Sequence, residues 1–180
     1  MRASLKNLRE LWVETSGSQI AEAAFVLPLL FMILLAIISF GRAFNIYSTI
    51  TRAAQDGAKV AATSNCAGAC NNAPTTDSEI ATAVTSALSA SKVAPDQVAT
   101  YTLASEPSAC PGLTPGGCTT DGSSKIRICR NVQLNSTSTG PKQCGAIVSF
   151  QYPYHFQIPF ASINLTDIQM TAVAERQMEN

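Results

Sequence analysis

Nineteen consecutive residues without a charge, Ala23 to Gly41, set the terms for what this chain can become. They are rich in Leu, Ile, Phe and Val, and at about 1.5 Å per helical residue they reach across the ~30 Å hydrocarbon core of a bilayer. A helix packed on the surface of a globular core keeps one polar face, and this run has none. It therefore predicts a transmembrane segment at about 23–41. Arg42 closes the run on one side; Glu22 stands at its other edge, with Gly17 five residues earlier. A soluble enzyme would have to bury all of this in its core, and what remains of the chain is too thin to enclose it.

That remainder is heavy in Ala, Ser and Thr. The chain carries no formal net charge and only 13% charged residues, so there is no basic footprint for nucleic acid. Its six cysteines, at 66, 70, 110, 118, 129 and 144, all follow the apolar run. Lys and Arg do not orient the segment, because Arg2, Lys6 and Arg9 before it are balanced by Arg42, Arg52 and Lys59 after it. The cysteines do: an even number on one side of a membrane segment points to disulfides in an oxidising compartment. Six cysteines allow about fifteen pairings. Cys66 with Cys70 and Cys110 with Cys118 are the simplest local ones. Zinc is disfavoured because no CxxC pair is present and the one histidine, His155, lies between Tyr154 and Phe156 as a structural or surface residue. We expect no metal and no cofactor.

Residues 1–16 place Leu5, Leu8, Leu11 and Trp12 at helical spacing, which fits either a short amphipathic helix at the membrane surface or a plain polar tail. Beyond the bilayer the periodicity continues through Ala43, Ile46, Tyr47, Ile50, Ala53, Ala54, Ala58 and Ala61. This predicts one helix from about Gln19 to Ala62, with Pro28 as a kink in its apolar half and Gly57 as a weak point in its outer half. Thr76 followed by Glu79 forms a capping-box pattern opening a second helix, with Ile80, Val84, Ala87 and Leu88 as its apolar stripe and Lys92 and Pro95 marking its end. The period then shifts to two. Strands are expected at 97–104, 125–134, 146–152 and 167–174, with 106–124 as a long loop pinned by Cys110 and Cys118. The fold class is α+β: a long N-terminal transmembrane helix continuing into a domain with a second helix and a small antiparallel sheet.

No catalytic constellation accompanies these elements. There is no phosphate-cradling glycine loop, no nucleophile elbow, and no histidine beside a candidate nucleophile. Asn135-Ser-Thr and Asn164-Leu-Thr match glycosylation sequons, to which no function is attached in so Ser/Thr-rich a chain.

The span from Gly17 to Ala62 resembles the TadE-like family, the pseudopilins or minor pilins of the tight-adherence (Tad/Flp) branch of type IV pili. The resemblance rests on Gly17 with Glu22 directly before the apolar run, and on Val26-Leu27-Pro28 early in that run with Phe40-Gly41-Arg42 at its end. It rests too on the exit-helix pattern Arg52-Ala53-Ala54-Gln55-Asp56-Gly57-Ala58. Val148-Ser-Phe-Gln-Tyr-Pro and Thr171-Ala-Val-Ala-Glu-Arg resemble the family's ending more loosely, and the cysteine-bearing middle is not covered.

The resemblance implies a pilin-like fold and cleavage by a prepilin peptidase between Gly17 and Ser18. Residues 1–17 would then be a cytoplasmic leader, 18–62 the long helix, and 63–180 an extracytoplasmic, disulfide-pinned domain. It implies pairing of the Glu22 carboxylate with the N-terminal amine of a neighbouring subunit during assembly. The implied partners are the inner membrane, the peptidase, other pilins and the assembly machinery, with the chain a substrate and not itself an enzyme. The rival expectation is an unprocessed single-pass envelope adhesin or scaffold displaying a binding domain.

Overall fold

The computed structural model describes residues 15–63, 75–103, 105–113, 116–134, 140–155 and 168–178. Its dominant element is a single helix, α1, Thr15–Thr63, on the order of 70 Å long. Pro28 lies inside it, where the ring removes the backbone donor that would have bonded the carbonyl one turn back. The helix continues regardless, since its first half has strong helix formers on every face. From residue 19 to 34 every side chain is exposed. From Ile50 onward the helix enters a core.

The second helix, α2, Asp77–Ala90, starts as its sequence predicts. The Thr76 hydroxyl accepts from the Glu79 amide, and the Glu79 carboxylate accepts from the Thr76 amide at 2.7 Å, so two free donors of the first turn are satisfied reciprocally. These bonds, the backbone one foremost, hold the Glu79 carboxyl below its ordinary pKa. The far end closes on Lys92, whose φ of 58° lies in the left-handed region. Val93 N–H bonds Leu88 C=O and Lys92 N–H bonds Ser89 C=O, which is the Schellman arrangement with a lysine where glycine is usual.

Four strands follow in the order β1-β2-β3-β4, each antiparallel to the next: β1 Gly117–Thr120, β2 Arg127–Gln133, β3 Cys144–Tyr154 and β4 Ile168–Gln177. One face of this meander carries Ile128, Ala146, Val148, Phe150, Tyr152, Ala172 and Ala174, buried against Ile50, Ala53, Ala54, Ala58 and Ala61 of α1 and Ile80, Val84 and Leu88 of α2. The alanines matter because they let a helix backbone lie close on the sheet. Gly57 takes this furthest: a Cβ there would come within 2.5 Å of Val84 Cγ2. What reads in the sequence as a weak point is a place where the two helices approach too closely to admit a Cβ.

Three expectations are corrected. The described residues of the strand expected at 97–104, residues 97–103, do not form one. Pro95–Gln97 makes a short 3₁₀ turn, and only Ala99 then pairs, bridging to Gln151. This chain is instead the start of a strap across the sheet's second face, held further on by the Ala99-like bridge Ala109 to Val132. Second, the stretch 106–124 is not all loop, because Gly117–Thr120 pairs with β2 as an edge strand that its Gly/Thr/Cys composition does not advertise. Third, Tyr47 is not part of the buried stripe; it is 49% exposed. The strands expected at 125–134, 146–152 and 167–174 form as β2, β3 and β4, close to the expected bounds.

The strap covers a small second cluster, Cys129, Val132 and Ile147 with Leu103, Cys118 and Leu134. Residues 129 and 132, three apart, would face opposite sides of a regular strand. A bulge resolves this: Cys129 pairs with Ile147 and Val132 with Gly145, so β2 holds one extra residue there, with Asn131 at φ 52°. The β1–β2 turn is organised by Asp121, a buried residue whose carboxylate accepts the amides of Lys125 and Ile126, each at 2.7 Å, and both the amide and hydroxyl of Ser123.

Two outcomes follow for stability. Gly57→Ala should lower the unfolding midpoint by about 1–2 kcal/mol equivalent, strain outweighing the helix-propensity gain, and Val84→Ala in the same chain should remove that penalty in a double-mutant cycle. For Asp121, burial raises the carboxyl pKa, but the hydrogen bonds from the Ser123 side chain and the Ile126, Lys125 and Ser123 amides outweigh it and leave the value lowered. A lowered folded pKa gives stability that is present above the unfolded value of about 3.9 and is lost as pH falls through the folded one. Urea midpoints measured from neutral pH down into that acid window should therefore fall more steeply for the native chain than for Asp121→Asn.

Candidate membrane and assembly interface

The residues singled out by the sequence fall on two parts of the molecule. Gly17 and Ser18 lie in the first turn of α1, and Glu22 is four residues beyond Ser18, one helical turn on. Glu22 is exposed, as are the apolar side chains that follow it: Phe25 is 84% exposed and Met32 74%. Ile20, Val26, Leu27, Leu29, Leu30, Phe31, Ile33 and Leu34 are also large, apolar and uncovered. In water such a surface is far beyond the few hundred Å² that a monomeric soluble protein leaves open. It is the surface of a helix built for lipid or for other apolar helices. By length and composition α1 qualifies as a membrane span, with its most apolar window wholly unburied. A carboxylate at the edge of such a span is costly to insert without a partner, by about 2.5–3.5 kcal/mol at the span's centre and less toward the edge.

The second group is the cysteines. Cys118 and Cys129 face each other directly across β1 and β2 and are bonded, with Cα atoms 3.9 Å apart. Cys110, on the strap, is bonded to Cys144 at the start of β3, with Cα atoms 5.9 Å apart. The expected Cys110–Cys118 bond is thus not formed. Nearness in sequence is the wrong guide here, because β1 turns Cys118 toward its opposite number on β2 and the strap delivers Cys110 to the first residue of β3. Cys66 and Cys70 lie outside the described residues, as do residues 1–14 and both sequons. Each observed bond ties an irregular or edge segment to the central strands, so together they secure the parts of the domain with the thinnest core.

Three further charged side chains tie elements of the domain together. Arg130 on β2 meets Asp77 at the start of α2, joining the sheet to the helix layer. Arg127 meets Glu106 on the strap, and Lys125 Nζ donates to the Asp96 carbonyl. Burial foremost raises the Tyr152 pKa, and its hydroxyl bonds Gln97 Oε1 at 3.1 Å, which fixes the 3₁₀ turn to β3. His155 is exposed at the end of β3. Among the described residues no group of three or more His, Cys, Asp or Glu side chains is placed to hold a metal. Ser149 is fully buried on β3 with no hydrogen-bond partner for its hydroxyl.

What sequence reasoning missed is the exposure of Phe44 and Tyr47. They are 73% and 49% exposed just past the apolar run, and the available signal was the recurrence of aromatics at Phe40, Phe44 and Tyr47.

Residues 17–59 match the family model described as TadE-like protein. The matched span opens at Gly17 and ends within α1, so it takes in the apolar run and most of the exit helix and stops short of α2 and the sheet. The resemblance read from the N-terminal residues holds over this span. No curated protein and no solved structure matches the chain.

The disulfide pattern is directly testable. Peptide mapping of the unreduced protein should recover Cys110 linked to Cys144 and Cys118 linked to Cys129, and thiol labelling of the denatured, unreduced chain should leave all four unmodified. A Cys110–Cys118 peptide, or labelling at any of the four, would contradict the structure.

Proposed function

We propose that this chain is a membrane-anchored pseudopilin, a minor pilin for assembly of a tight-adherence type IV pilus. The observation that carries the reading is the coincidence of two spans: the TadE-like match over residues 17–59 falls on the helix whose apolar half is left bare by the rest of the protein. In this reading the chain sits in the bacterial inner membrane as a single-pass protein, and its disulfide-bonded α+β domain, residues 63–180, is extracytoplasmic. Residues 1–17 form a leader that a prepilin peptidase removes after Gly17.

The chemistry of the processed end supports the reading. Cleavage leaves an α-amine on Ser18, one turn from Glu22. Two opposite charges at the edge of an apolar span are each expensive alone and favourable together. Offered between subunits, the Glu22 carboxylate and a neighbour's amine set the axial register while the apolar helices pack side by side. Gly17 suits the cut because a residue without a Cβ lets an enzyme approach the backbone. The chain is then a peptidase substrate and a structural component, with other pilins and the assembly machinery as its partners.

Co-expression with a prepilin peptidase should remove residues 1–17, read as a loss in intact mass, and Gly17→Ala should abolish the loss. Glu22→Gln should leave processing intact but remove the chain from sheared pili. A full-length chain under these conditions would favour an unprocessed single-pass adhesin or scaffold.

A further inference from the structure

The apolar run ends at Gly41, and the folded core begins almost at once, with Ile46 packed against it and Ile50 fully buried. Five helical residues separate Gly41 from Ile46, a rise of about 7.5 Å. The headgroup zone of one leaflet is about 5–8 Å deep, the difference between total and hydrocarbon thickness shared by two sides. The domain therefore has no stalk, and its core starts where the headgroups end.

The residues filling that interval are not those of a plain linker. Phe44 is 73% exposed and Tyr47 about half exposed, Phe40 is 68% exposed at the hydrocarbon edge, and Arg42 is exposed at the same level, about 200° around the helix from Phe40. Their direction is informative. Phe40, Tyr47, Ala54 and Ala61 recur every seven residues, a period that drifts by only about 20° on a straight helix. Ala54 and Ala61 are fully buried beneath the rest of the domain. The aromatic flank is thus the downward continuation of the face on which α2 and the sheet are mounted, and the rings lie on the side that the domain overhangs. A second helix packed along this flank would run up into α2 and the sheet. Lipid headgroups would not.

We propose that Phe40, Phe44 and Tyr47, with Arg42, form a lipid-docking collar that seats the domain directly on the outer leaflet surface. Aromatic side chains are favoured at the level of the headgroups, where Tyr47 can keep its hydroxyl wet while its ring is shielded. The Arg42 guanidinium is placed to bind lipid phosphate in the same layer. The collar fixes the depth of α1 and presses the underside of the domain against the membrane. This rests on the reading of α1 as a membrane span.

Trp12 is the only tryptophan, so Trp12→Phe gives a silent background for single reporters in the full-length chain. Ile33→Trp, Phe44→Trp and Tyr47→Trp would each be reconstituted in phosphatidylcholine vesicles carrying lipids brominated either near the headgroup or near the acyl-chain end. Ile33→Trp should lose fluorescence most to the deep quencher. Phe44→Trp and Tyr47→Trp should show blue-shifted emission and lose more fluorescence to the shallow quencher. Water-like, unquenched emission at both, with Ile33→Trp quenched, would mean that the domain stands clear of the bilayer and would overturn the collar. Blue-shifted but unquenched emission at both would place a protein partner there and would overturn it equally. An unquenched Ile33→Trp would instead remove the membrane span itself, and the collar with it.

Discussion

The close approach of small residues on one face of α1 is what the folded half of this molecule depends on. Ala53, Ala54, Ala58 and Ala61 are fully or almost fully buried, and Gly57 leaves no room even for a methyl group against Val84. With larger side chains at these positions the helix axis would stand off, and Val84, Ile80 and Val148 would lose the surface they close upon. Dispersion contacts fall away steeply with small gaps, so a chain with few large apolar residues must gain its cohesion from closeness. The same helix meets opposite requirements along its length. Below Arg42 bulky Leu, Ile and Phe face outward and uncovered, and above Ile46 small residues face inward against protein.

This division explains which parts of the structure could be read from residues. The span, the exit helix and the capping box at Thr76 rest on local chemistry: charge absence, periodicity and a reciprocal pair of hydrogen bonds. The core strands β2, β3 and β4 declare themselves by alternation. The strap and β1 do not, because what places them is tertiary. Thr119 and Thr120 become strand only because β2 offers them an edge, and the stretch after Gln97 is straightened over the sheet by one bridge at Ala99. The cysteine pairing was illegible for the same reason, since it depends on which strand lies opposite which.

At the candidate interface the residues supplied less. Gly17 and Glu22 were singled out by the family resemblance and Pro28 by its type, and the structure adds that Glu22 and the apolar side chains up to Leu34 are exposed among the described residues. Tyr47 was misread because helical periodicity says which residues share a side but not where that side stops being covered. The core begins at Ile46 and Ile50 along one line and one turn later along the neighbouring one. Only the mounting of α2 and the sheet draws that boundary.

The two disulfides among the described residues are nested: the loop from Cys118 to Cys129, with a separation of 11, lies wholly within the loop from Cys110 to Cys144, with a separation of 34. Neither ring has to be threaded through the other, so either bond can close first without trapping the chain. Each alone restricts the unfolded chain by about 3–4 kcal/mol on loop-entropy grounds. Their joint effect is smaller than the sum, because the inner bond has already shortened the path that the outer one must close. A domain with so few large apolar groups is thereby given, among its described residues, two tethers that tolerate any order of oxidation.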